Sequence, residues 1–159
     1  MELTEVKDLA LSKMREHGLE GWSFQFDNAK KRLGVCNPSR QIIGLSAPLA
    51  RINDLDTVRN TILHEIAHAL APARSGHGSE WKRICREIGA RPERCANGEE
   101  IETLPSKYVG TCPKCSHTFK RDRLSARLKQ AGGWCPCVKG YDPAYAIVWS
   151  ENRLDRVRQ

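Results

Sequence analysis

The chain has 159 residues, 40% hydrophobic and 28% charged, with seven cysteines and a formal net charge of +7. That length holds one ordinary domain, or one domain plus a small module that needs a staple, and the second option suits this sequence better. There is no run of eighteen apolar residues, and Met1-Glu2-Leu3-Thr4-Glu5 lacks the order of a secretory signal, so no membrane helix is expected and a soluble, cytoplasmic protein is.

Leu3, Val6, Leu9, Ala10 and Met14 recur at helical spacing, which predicts a first helix over 3–17 with Thr4 as its cap and Gly18 as its stop. His17 falls in its last turn, where a cation suits the helix dipole, and no ligand role is expected for it. From Gly21 to about Ala47 the period changes. Trp22, Phe24 and Phe26 alternate with polar residues, and Leu33–Cys36 and Ile42–Leu45 continue apolar on either side of Asn37-Pro38-Ser39-Arg40. Three antiparallel strands are the simplest reading, forming a small sheet under the apolar stripe of the helix that follows.

The next stretch carries the chemistry: His64-Glu65-Ile66-Ala67-His68, then Gly76-His77-Gly78. Residues four apart on a helix lie only about 40° apart around its axis, so His64 and His68 can share one metal ion, a geometry that suits zinc. Glu65 lies about 100° round from His64, too far to be a natural ligand and close enough to reach a water on the ion as a general base. Leu55, Val58, Ile62, Ile66, Ala69 and Leu70 form an apolar stripe beside the histidines, Asp54 and Asp56 favour the helix start, and Pro72 marks its stop. A catalytic zinc has three protein ligands and one open position. His77 is the candidate third, with Gly76 and Gly78 allowing the backbone to come close. Eight residues separate His68 from His77, unlike the metzincin spacing, so that family is disfavoured.

Ser79 would cap a third helix carrying Trp81, Ile84, Cys85 and Ile88 on one face, ended by Gly89. The Trp81 ring either holds the Gly-His-Gly loop in place or simply fills the core. Residues 90–106, with Pro92, Asn97, Gly98, Glu99, Glu100, Glu102 and Pro105, read as a connecting segment. The division falls there: a domain over 1–104 and a module over 105–159.

In the module, Cys112-Pro-Lys-Cys115 and Cys135-Pro-Cys137 have nearly the spacing of a structural zinc site. The second pair is one residue short, so the fourth ligand is Cys137 or His117. A module so poor in apolar side chains would use the metal as its staple. Cys36, Cys85 and Cys95 read as small buried thiols or bystanders. The whole charge excess lies here, since residues 105–159 hold eleven Lys and Arg against four Asp and Glu. Lys120, Arg121, Arg123, Arg127 and Lys129, flanked by Phe119 and Trp134, suit a nucleic-acid surface. The same charges also fit a solvated face kept for solubility, and Trp134 fits better as ribbon core.

The sequence His64-Glu65-Ile66-Ala67-His68-Ala69, then Gly76-His77-Gly78-Ser79-Glu80-Trp81 and a trailing cysteine ribbon, resembles the SprT-like zinc metallopeptidases, which include the Spartan proteases acting on DNA-protein crosslinks. The resemblance implies an α+β fold: a zincin-like minimal metalloprotease domain of helices on a small antiparallel sheet, then a β-rich zinc ribbon. It implies a catalytic zinc on His64, His68 and His77 with Glu65 as acid/base, and a structural zinc on Cys112, Cys115, Cys135 and Cys137. The expected activity is zinc-dependent endopeptidase on DNA-associated proteins, with DNA, single-stranded DNA included, as a partner and the chain a monomer near the nucleoid. The rival reading is a nucleic-acid-binding ribbon protein whose H-E-x-x-H site is structural or inactive.

Overall fold

Val6, Ala10 and Met14 lie on one fully buried stripe of α1 (Leu3–Glu16). The computed structural model describes residues 1–72, 75–93, 101–140 and 142–152, and its contacts divide the chain into two units, Met1–Leu104 and Pro105–Gln159. Cys95 and Asn97 to Glu100 lie outside the described residues. Glu2, rather than Thr4, stands at the N-cap of α1 and makes no side-chain cap bond. Gly18, at φ +74°, ends the helix, with the Leu19 N–H bonded back to the Met14 carbonyl at 2.8 Å.

Three strands follow, β1 (Ser23–Asp27), β2 (Gly34–Asn37) and β3 (Ile42–Ser46), but their order in the sheet is β1-β3-β2. β2 and β3 pair antiparallel, whereas β1 runs parallel to β3, Ser23 opposite Ile42 and Asp27 opposite Ser46. The expected all-antiparallel pairing is therefore corrected at β1. Burial explains the order: Ile43, Gly44, Leu45 and Ser46 are all buried, which suits a central strand, while β1 and β2 are only partly covered and take the edges.

Ser46 then accepts the Leu49 N–H at 3.2 Å and, with Pro48 in the first turn, opens the short helix α2 (Ala47–Ile52). The sequence reading passed over this helix. Its signal was a capping serine followed by proline.

Asp54 caps α3 (Leu55–Leu70) by accepting the Thr57 N–H at 2.7 Å, and Pro72 follows its end. The buried face is Val58, Ile62, Leu63, Ile66 and Ala67. Leu55 and Leu70, expected on the stripe, are 59% and 39% exposed because they sit at the helix ends, past the elements that cover its middle. α4 (Ser79–Glu87) buries Trp81, Ile84 and Cys85. Its N-cap is Gly78, one residue before the expected Ser79. These faces meet Ile43, Leu45, Leu49 and Ala50 in one core.

The second unit is an antiparallel sheet in the order β5-β4-β6, from β4 (Tyr108–Thr111), β5 (Thr118–Arg121) and β6 (Val148–Glu151), with a helix α5 (Ala126–Ala131) after β5. Its packed tryptophan is Trp149, whose Nε1–H donates to the Gly132 carbonyl at 2.7 Å and whose ring lies where a side chain at Gly110 would have to go. Trp134, preferred from sequence as the ribbon core, is 46% exposed. Among the described residues no helix is long and apolar enough to cross a membrane.

The stretch read as a connector is pinned at its far end. The buried Asn53 donates to the carbonyls of Leu49 (2.8 Å) and Glu102 (2.9 Å) and accepts the Glu102 N–H (2.8 Å). Asn53→Ala would leave these backbone groups without partners and is expected to lower stability by about 2 kcal/mol, read from chemical denaturation.

Candidate metal centre

Three imidazoles converge. His64 and His68 project from α3 one turn apart, and His77 returns from the loop before α4, so that the Nε2 atoms of His64 and His68 each lie 3.1 Å from His77 Nε2. The two glycines around His77 act differently. Gly76 sits at φ +53°, a left-handed conformation that favours glycine, while a side chain on Gly78 would approach the Ser75 carbonyl oxygen to 2.9 Å.

The donor set fits a zinc ion. Zn–N bonds of about 2.0–2.1 Å in a tetrahedron separate their nitrogens by about 3.3 Å, close to the spacing found. Hydrogen bonding alone cannot satisfy the cluster through one lone pair on His77 Nε2 facing two neighbours, whereas a single cation accepts all three. Burial, reinforced by His68 and His77, pushes His64 down to about 4, and burial with His77 beside it lowers His68 as well. These rings are neutral near pH 7, the form that binds metal.

Glu65 is buried on the same helix but turned toward β2. Burial raises its carboxyl to about 7, against the pull of the Arg32 guanidinium and of a hydrogen bond from the Cys36 backbone. Gly34 makes room for it: a Cβ there would lie 2.6 Å from Glu65 Oε1, 2.8 Å from its Cγ and 2.6 Å from Thr61 Cγ2. Sequence reading singled out neither Gly34 nor Arg32, because only the pairing of β2 with β3 brings that strand over α3. Cys36, half-buried beside this carboxylate, has its thiol pushed up to about 12 by burial and then by the Glu65 charge.

The second group is Cys112, Cys115, Cys135 and Cys137, all four Sγ atoms within 4.8 Å of one another. Cys112 to Cys137 is 4.0 Å and Cys115 to Cys135 is 3.5 Å, near the roughly 3.8 Å edge of a tetrahedron with Zn–S bonds of about 2.3 Å. Cys137 stands in this group despite the short C-x-C, and His117 lies against Phe119 instead, ring centroids 4.7 Å apart. The Cys115 backbone N–H leads in drawing the Cys112 thiol down to about 7, while burial and the neighbouring thiols push Cys137 up to about 12, so the four thiols share charge as one cluster. The basic residues do not form one strand: Lys120 and Arg121 lie on β5, Arg123 follows it, and Arg127 and Lys129 lie on α5, all exposed.

Among the described residues the longest helix carries His64 and His68, and the next loop brings back His77 to complete a group that could hold a metal ion. The SprT-like family model matches residues 5–104, and the chain belongs to the SprT-like family. Among curated relatives, Protein SprT of Pseudomonas putida (strain W619) is 32% identical over 89 residues, which are 52% of this chain and 54% of that protein. Protein SprT of Pseudomonas fluorescens (strain SBW25) is 27% identical over 95 residues, 56% of this chain and 58% of that one. The chain thus spans about half the length of the curated relatives it matches. Among solved structures, the metallopeptidase zymogen of Methanocaldococcus jannaschii jannalysin is similar at 17% identity and a TM-score of 0.46, over 52% of this chain and 79% of that one.

Gly34→Ala should force the Glu65 side chain aside and cost about 1–3 kcal/mol in thermal or denaturant unfolding. Adding Thr61→Ser, which removes the other crowded methyl and keeps the hydroxyl, should recover part of that loss.

Proposed function

We propose that the chain is a zinc-dependent endopeptidase of SprT-like type acting on DNA-associated proteins in the cytoplasm, beside the nucleoid. The observation that carries this reading is the convergence of three imidazoles next to a buried glutamate on α3. Family membership supports it. A zinc ion on His64, His68 and His77 would leave one position open, lower the pKa of water there toward ~7 and polarise a carbonyl. Glu65 takes a proton from the attacking water as its oxygen bonds to the scissile carbonyl carbon. It then delivers that proton to the amide nitrogen as the C–N bond breaks. The hydrogen bond from the Cys36 backbone and the room left by Gly34 hold the carboxylate in place for both transfers. A second zinc on the four cysteines would be structural.

The ribbon supports a nucleic-acid partner, single-stranded DNA included. Lys120, Arg121, Arg123, Arg127 and Lys129 are exposed there, and so is the ring of Trp134, where a base can stack. On this reading DNA recruits the peptidase to its substrate. The rival, a nucleic-acid-binding protein with an inactive H-E-x-x-H site, draws on the same ribbon but leaves the intact, buried Glu65 without work.

Glu65→Gln should keep the metal and reduce cleavage of a DNA-binding protein by about 10²- to 10⁴-fold. Cleavage at the parental rate would remove the acid/base role, and DNA binding with no cleavage by the parent would favour the rival. Arg121→Ala with Arg127→Ala should weaken DNA binding and reduce its log–log salt slope by about 1 per lost phosphate contact. An unchanged slope would take these two residues out of the interface.

A further inference from the structure

The two histidines on α3 are held by a buried helix, but His77 is not. It sits in a loop between two glycines, one of them in the left-handed region, in a turn closed by the Gly78 N–H on the Ser75 carbonyl at 3.0 Å. Besides the other two imidazoles, the Trp81 ring reaches it. That ring is fully buried in α4, and its centroid lies 4.6 Å from His77, 4.7 Å from His64 and 5.2 Å from His68. It stacks on His68 at 26° and meets the other two rings steeply, at 65° and 82°. The indole thus forms a floor under the whole triad and ties the loop ligand to the core cluster of Ile84 and Cys85.

Two features separate this from simple filling of a core. The indole Nε1–H is buried and has no hydrogen-bond partner among the described residues, a burden that a phenylalanine of similar apolar character would not bring. Moreover, an imidazole that gives its lone pair to a cation becomes electron-poor, and the electron-rich indole face on His68 favours that form over the free ring.

We propose that Trp81 is a positioning residue for the metal centre, its ring setting the distance of His77 from the His64–His68 pair and so the affinity and coordination geometry of the ion. This rests on the metal reading of the triad. The test uses the full chain and Co²⁺ or Zn²⁺ as probe, with chelator competition for affinity and Co²⁺ visible absorption for geometry. The ribbon's thiolate-to-cobalt absorption serves as the internal control. Trp81→Leu should weaken binding at the triad about 10- to 100-fold and alter the cobalt bands of that site, with the ribbon bands unchanged. Trp81→Phe, which keeps a ring but shortens its reach, should show a smaller loss in the same direction.

Binding within twofold of the parent with the same spectrum in Trp81→Leu, or in Trp81→Phe if the leucine variant does not fold, would overturn the inference while leaving the metal centre standing. A parent chain that takes up cobalt at the ribbon alone would instead overturn the metal reading, and this inference with it.

Discussion

Helix α3 packs Val58, Ile62 and Ile66 to complete burial against α1, α4, β2 and β3, and at 3.6 residues per turn it cannot do so without drawing His64 and Glu65 inward as well. Everything at the candidate centre follows from that constraint. Loss of solvent favours the neutral forms of His64 and His68 and raises the Glu65 carboxyl, so one packing event sets the charge of all three. It also fixes the cost of the site. Burying a polar group without a partner is costly, and a bond from the Cys36 backbone offsets part of that cost at Glu65.

The two units solve the problem of stability in different ways. Residues 1–104 bury a continuous apolar core drawn from four helices and a mixed sheet. Among the described residues of the second unit, the buried apolar side chains are Cys112, Cys135 and Ile147, so two of the three belong to the thiol cluster itself. Too little apolar surface is removed from water there to order some fifty residues. A cation shared by four thiols fits that deficit, and the tight Gly110–Trp149 and Gly132–Ile147 contacts show the sheet closing around little else.

Much of the first unit was legible because its signals are local. The period of α1, the acidic start and Pro72 stop of α3, and the position of the strands are each encoded within a few residues. Pairing is not local: alternation marks Ser23–Asp27 as a strand but cannot say that Ile42–Ser46 will lie beside it in parallel. The exposure of Leu55, Leu70 and Trp134 was missed for the same reason, since hydrophobic character shows what a side chain prefers and not whether a neighbour arrives to cover it.

By itself the sequence determined that two histidines share one helix face with a glutamate beside them, that a third histidine follows between glycines, and that four cysteines come in two close pairs, because helical period and chain spacing are properties of the covalent chain. Only the tertiary structure decided that the His77 ring meets the other two, that Trp81 lies under all three, and that Gly34 of a neighbouring strand leaves room for the Glu65 carboxylate. Those contacts join residues that no local rule relates, and packing of the core, which minimises exposed apolar surface over the whole domain, is what brings them together.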